Sequence, residues 1–187
     1  TAIGQQYTGL GSVEDAVNDL IQQGIVVVAS ANNQGEDACL KAPANLTRGR
    51  SNVNAVDENG VPYQVTTGRV IVVGGTERNN AWSGTVSQDT RLTFTLDGQS
   101  FESNYGPCVN IWAPGGDLRI ALPDERSGGT GFGVGSGTSF ATPLVTGMVA
   151  RFLELRGSEF DMQSTDVVDR VWTWLQQDGT KTLPDGV

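Results

Sequence analysis

The chain has 187 residues, 37% of them apolar, which is enough for one globular domain with a buried core and argues against a disordered tail. Twelve basic residues against 21 acidic ones give a net charge of −9, so there is no basic stripe for phosphate binding and nucleic acid is not expected as a partner. No apolar stretch approaches the ~18 residues of a membrane span, and nothing at Thr1 resembles a signal peptide, so no membrane partner is expected and any secretory leader would already be gone.

Ser12 precedes Val13, Ala16, Val17, Leu20 and Ile21, which share one face at helical spacing. With an acidic first turn (Glu14, Asp15) and Gly24 as a stop, the segment predicts an amphipathic helix capped by Ser12. Gly24 leads directly into residues 25–29, Ile-Val-Val-Val-Ala, a β-branched run of the kind buried on both faces of a parallel sheet. A second such run spans residues 70–73 and a third short strand residues 109–114, ending in a Pro-Gly-Gly turn. Residues 79–104 carry period-two alternation (Leu92, Phe94, Leu96) up to Asp97-Gly98, which signals a peripheral antiparallel hairpin. Residues 165–177 place Val167, Val168, Val171, Trp172 and Leu175 at helical spacing and predict a surface-packed helix. Trp112, Trp172 and Trp174 read as core or interface residues rather than a ligand platform. The order of elements predicts an α/β fold with a parallel central sheet and helices on both faces.

Cys39 and Cys108 are the only cysteines, and two cysteines read equally as buried thiols or as a bridge. A glycosylation sequon at Asn45-Leu46-Thr47 adds a second weak sign of an oxidising, extracellular setting. In that setting the two cysteines would form one disulfide, joining the loop after the first buried strand to the loop before the third.

The chemistry concentrates at Gly137-Thr138-Ser139-Phe140-Ala141-Thr142-Pro143. A glycine-rich approach over residues 128–137 runs into an apolar segment, 140–155, so Ser139 reads as a serine nucleophile at a helix N-terminus. There the unsatisfied backbone N–H groups and the positive dipole end favour the negative charge that develops in acyl transfer. Ser139 N–H can face an oxyanion, and the small residues Gly137 and Thr138 let a substrate backbone come close. The plainer alternative is that Ser139 only caps the helix. The chain contains no histidine, and a serine hydroxyl is a poor nucleophile unless an adjacent base takes its proton.

The serine block, from Ser136 to Gly147, closely resembles the nucleophile motif of the subtilisin-like serine proteases. Residues 26–33 resemble the family's strand that ends in an oxyanion-hole asparagine, which implies that role for Asn32. Ala2-Ile3-Gly4-Gln5-Gln6-Tyr7 is similar to the strand walling the S1 pocket, and residues 103–106 and 111–115 to segments of proteinase K-like members. The resemblance covers most of the chain, with residues 45–69 and 81–100 as elaborations. It implies Ser139 and Asn32 as catalytic residues and Ile3, Gly4, Ser30, Ala31, Gly137 and Thr138 as substrate-binding residues. Together Ile3, Gly4, Ser30 and Ala31 suggest a roomy, uncharged pocket for an apolar or aromatic side chain.

Three departures stand out. The family's catalytic aspartate and histidine blocks lie upstream of the point where this sequence begins. Ala31 replaces the usual glycine before the oxyanion asparagine, and Leu144 a histidine after the proline. Asn110 stands where proteinase K-like members offer a calcium-ligating aspartate, so no metal or cofactor is expected. Residues 1–187 are therefore expected to form the C-terminal portion of a single subtilisin-like catalytic domain, incomplete without an N-terminal fragment that carries the aspartate and histidine. The expected function is the serine-bearing chain of a secreted two-chain endopeptidase acting on proteins or peptides. The alternative is a protease-derived pseudoenzyme that binds peptides or signals.

Overall fold

A computed structural model describes residues 11–47, 53–56, 62–65, 69–77, 91–159, 161–162, 164 and 166–179. Helix α1 (Gly11–Gln22) ends as its sequence dictates. Gly24 takes φ 77°, its N–H donates to Ile21 O at 3.0 Å and Ile25 N–H reaches back to Leu20 O at 3.0 Å. These paired bonds close the last turn around a left-handed glycine. The helix begins at Gly11, so Ser12 lies one residue inside it rather than ahead of it.

Three parallel strands form the central sheet in the order β1 (Val28–Ser30), β4 (Ile71–Thr76), β7 (Ile111–Pro114). The register pairs Val28 with Ile71 and Val73 with Ile111. In the middle strand, β4, every residue is buried, and its alternating side chains feed two cores. Val70 and Val72 join Val17 and Ile21 of α1, Leu46 and Cys108 on one face. Ile71 and Val73 meet Ala141, Val145, Val149 and Phe152 of α3 (Thr138–Arg156) and Val167 and Val171 of α4 (Asp166–Trp174) on the other. The α/β architecture with helices on both faces is thus the observed one.

The first β-branched run behaves differently from its expectation of burial on both faces. Only two of its residues, Val28 and Ala29, lie in β1; Val26, Val27 and Val28 are half-buried, and Ile25 is 46% exposed. β1 is an edge strand whose one neighbour among the described residues is β4.

Three two-stranded hairpins decorate the sheet. β2 (Val53–Val56) pairs with β3 (Pro62–Val65) in a stretch that the sequence left without strands. β5 (Thr93–Leu96) and β6 (Gln99–Glu102) form the expected hairpin around Asp97-Gly98. Both turn residues have positive φ, 50° and 79°, the type I′ geometry that matches strand twist. Phe94 and Phe101, directly paired, stack at 5.2 Å. β8 (Leu118–Ala121) and β9 (Phe132–Gly135), separated by the single helical turn α2 (Asp124–Ser127), make the third hairpin, within the glycine-rich approach to Ser139.

Trp112 and Trp174 pack. The Trp112 ring lies so close over Gly74 that a Cβ there would sit 2.5 Å from it, and Trp174 stacks on Phe152 at 4.8 Å. Cys39 and Cys108 form a disulfide with a sequence separation of 69, tying the turn after β1 to the segment before β7. Closing a loop of that length restricts the unfolded chain by about 4 kcal/mol in the chain-entropy model. Thr47 of the sequon is wholly buried, and its hydroxyl donates to Asn110 Oδ1 at 2.8 Å. Asn110 Oδ1 also accepts from Val72 N at 2.8 Å, so the amide that replaces an acidic residue ties the sheet to the neighbouring loop.

Candidate active site

The site is assembled where β1 and β7 end and α3 begins. Beyond Ser30, Ala31 N still donates to Val73 O at 2.9 Å, after which Asn32 turns the chain with φ 73°. Asparagine tolerates this left-handed conformation better than most residues with a side chain. Asn33 Oδ1 then accepts from Thr138 N at 2.9 Å. One side chain therefore fastens the turn holding Asn32 to the residue preceding Ser139.

A second fastening comes from β7. Gly137 N donates to Gly115 O at 2.8 Å. A Cβ on Gly115 would lie 2.8 Å from Gly137 O, so this close passage requires glycine. Gly137 itself, at φ 147° and ψ 160°, is the N-cap of α3 and offers no side-chain cap.

The first-turn donors of α3 can be followed one by one. Thr138 N is taken by Asn33, while Phe140 N and Ala141 N reach Gly137 O at 3.0 and 3.4 Å. Among the described residues, Ser139 N–H has no acceptor. Its hydroxyl is likewise unbonded there, and the residue is exposed. No described residue hydrogen-bonds the Asn32 side-chain amide. The helix N-terminus thus offers an open N–H and an exposed hydroxyl at Ser139, and the turn holding Asn32 is fastened to it through Asn33.

Ser139 and Ser30 line one depression of about 630 Å³, together with Thr142, Pro143, Thr146, Gly147 and Ala150. Thr142 and Thr146 bond their hydroxyls back to the carbonyls of Thr138 and Thr142 at 2.8 and 3.0 Å. With those groups satisfied, the face is effectively apolar. Ala31 and Thr138 are completely buried, and neither lines the depression at Ser139. Ile3 and Gly4 lie outside the described residues. Leu144 is 45% exposed on the outer side of α3.

Sequence reasoning missed two positioning residues. Asn33 acts across 105 positions of sequence, beyond any local pattern. Asn104 is buried completely. Its N–H donates to Asn32 O at 2.8 Å, and its Oδ1 accepts from Gln34 N at 2.8 Å and Glu36 N at 3.2 Å. Asn104→Ala would strand those two donors, and a loss of about 1–3 kcal/mol in unfolding free energy is expected, read as a lower urea midpoint.

The subtilase family (Peptidase_S8) matches residues 2–178 of the chain. The chain belongs to this family. It is 31% identical over 143 residues to an extracellular serine proteinase of Thermus sp. (strain Rt41A), a match covering 76% of this chain and 25% of that protein. It is also 31% identical over 166 residues to mouse proprotein convertase subtilisin/kexin type 9, covering 84% of this chain and 19% of that protein. Among solved structures, a mutant of the protease domain of PatA superposes with a TM-score of 0.54 at 27% identity, over 94% of this chain and 47% of that one. A cold adapted subtilisin-like serine proteinase gives 0.52 at 25% identity, over 86% and 42%. The chain thus spans about a quarter or less of these curated relatives and under half of these structures.

Proposed function

We propose that this chain is the nucleophile-bearing part of a subtilisin-like serine endopeptidase, the C-terminal portion of one catalytic domain, whose histidine and aspartate come from a separate N-terminal fragment. The carrying observation is the open Ser139 N–H beside its exposed hydroxyl, when every other first-turn donor of α3 is occupied. In this reading Ser139 Oγ attacks the scissile carbonyl carbon and gives its proton to the fragment's imidazole. The oxyanion receives hydrogen bonds from Ser139 N–H and the Asn32 amide. Collapse of the tetrahedral species expels the amine, which takes that proton, and water repeats the sequence to free Ser139.

Uncovered surface supports the need for a partner. Among the described residues one edge of β1 has no partner, and a parallel sheet is ordinarily covered on both faces and paired across its strands. On α1 the stripe of Val13, Ala16 and Leu20 is exposed, although it belongs to the helix's apolar face. On α3, Pro143, Leu144, Gly147 and Ala150 are exposed as well. A helix that is apolar around its circumference is normally buried around its circumference.

The substrate in this reading is a polypeptide whose apolar or aromatic side chain enters a pocket beside Ser30, a role that the family resemblance extends to Ile3, Gly4 and Ala31. A secreted protein is supported by the disulfide and by relatives whose names call them extracellular. Among the described residues no helix is long and apolar enough to cross a membrane.

Denaturing mass spectrometry and N-terminal sequencing of the native protein test the arrangement. A second polypeptide containing a histidine and an aspartate block is expected with this chain. A folded monomer of this chain alone would overturn the proposal and favour a peptide-binding protein without catalysis.

A further inference from the structure

A groove of about 1010 Å³, lined in part by Phe140, is separate from the depression at Ser139. One wall is strand β5 of the β5–β6 hairpin, and the other is the β8–β9 hairpin. Phe94, Leu96, Val134 and Phe140 supply apolar surface, and Glu77 and Asp117 supply carboxylates. Phe140, which directly follows Ser139 in the chain, lines the groove, while Ser139 lines the separate depression.

Two features indicate that the groove receives a ligand. Leu96 and Val134 are 57% and 69% exposed, and large apolar side chains gathered in an open groove with a polar rim mark an interaction surface. The carboxylates have only neutral partners: Glu77 Oε1 accepts from Thr93 Oγ1 at 3.0 Å, and Asp117 Oδ1 from Ser136 Oγ at 3.4 Å. No cation pairs with either among the described residues. The floor is firm, because a Cβ on Gly135 would meet the Phe140 ring at 2.7 Å and Ile120 Cδ1 at 2.9 Å.

We infer that this groove is a specificity subsite for an arginine or lysine side chain of the substrate peptide, a subsite built by this chain's own hairpins. The aliphatic stem of such a side chain covers Phe94 and Phe140, and its cationic head reaches Glu77 and Asp117. Long basic side chains fit both halves of the lining, whereas a purely apolar one leaves the carboxylates unused and an acidic one is repelled.

This inference rests on the protease reading, and a binding measurement separates the two. The complete native protein, with its N-terminal fragment, is prepared with Ser139→Ala so that peptides are bound and not cut. Fluorescent alanine–serine peptides carrying arginine, norleucine or glutamate at each position in turn are then titrated by anisotropy. At one position arginine is expected to bind about tenfold more tightly than norleucine, with glutamate weakest, and Glu77→Gln with Asp117→Asn is expected to abolish the arginine advantage. Both side chains are partly or fully solvent-exposed, so these near-isosteric changes leave the fold in place. Equal binding of arginine and norleucine at every position, or an arginine advantage that survives the double substitution, would overturn the subsite. Fluorophosphonate labelling of the unaltered protein reports on the catalytic reading independently: labelling without arginine preference refutes the subsite alone, and arginine preference without labelling refutes catalysis alone.

Discussion

Ser139→Ala is expected to remove all fluorophosphonate labelling from the complete native protein, and Asn32→Ala to lower turnover by about 10²–10³-fold with little change in substrate affinity. That second magnitude comes from the oxyanion asparagine of subtilisin, a member of the same family. The asymmetry follows from what each group does. In the proposed mechanism Ser139 Oγ forms the covalent bond, so its loss leaves nothing to label. The Asn32 amide acts mainly on charge that appears in the transition state, so removing it changes kcat more than binding. This chain by itself is expected not to label. Its helix dipole contributes at most about 2 kcal/mol toward stabilising an alkoxide, and the general base it lacks contributes ~10²–10⁴-fold. Labelling of the isolated chain at a rate comparable to the complete protein would show that the hydroxyl is activated by some other base, and the division of the triad between polypeptides would fail.

Local pattern carried much of this architecture. Gly24 and the apolar spacing before it specified both α1 and its closing turn, because a left-handed glycine terminates a helix by backbone geometry alone. Asp97-Gly98 specified a type I′ hairpin for the same reason. Residues 70–73 were recognisable as buried because β4 is covered on both faces. Residues 25–29 are also rich in β-branched side chains but sit at an edge that no described residue pairs, and composition cannot say whether the covering layer is present. The β8–β9 hairpin was hidden by its glycines, which read as an irregular approach to Ser139, although Leu118 and Ile120 alternate with exposed residues as a strand requires. At the candidate site, Ser139 and Asn32 could be marked from the residues around them. Asn33 and Asn104 could not, since each works by hydrogen bonds to segments about 70 or more positions away.

Gly147→Arg is expected to leave this chain folded while abolishing its association with the N-terminal fragment, and with it all labelling of Ser139. Gly147 lies inside the 19-residue helix α3, exposed, and a Cβ there would meet no atom within 4 Å. Glycine in a helix interior is about 1 kcal/mol worse than a straight-chain residue, and nothing in this structure offsets that deficit. Taken alone, the chain should therefore gain about 1 kcal/mol from arginine, seen as a raised urea midpoint. A glycine that carries such a deficit on an apolar, uncovered face is explained if another element packs against the helix backbone there. In the complete protein the substitution would then force a long cationic side chain into a dry contact without a partner, which costs several kcal/mol. Gly147→Ala, adding a single methyl group, is expected to weaken association without eliminating it. Size-exclusion chromatography with fluorophosphonate labelling reads both effects. An arginine variant that co-elutes with the fragment and labels at the normal rate would mean that this face of α3 stays open in the working protein, and the covering layer would have to be sought elsewhere.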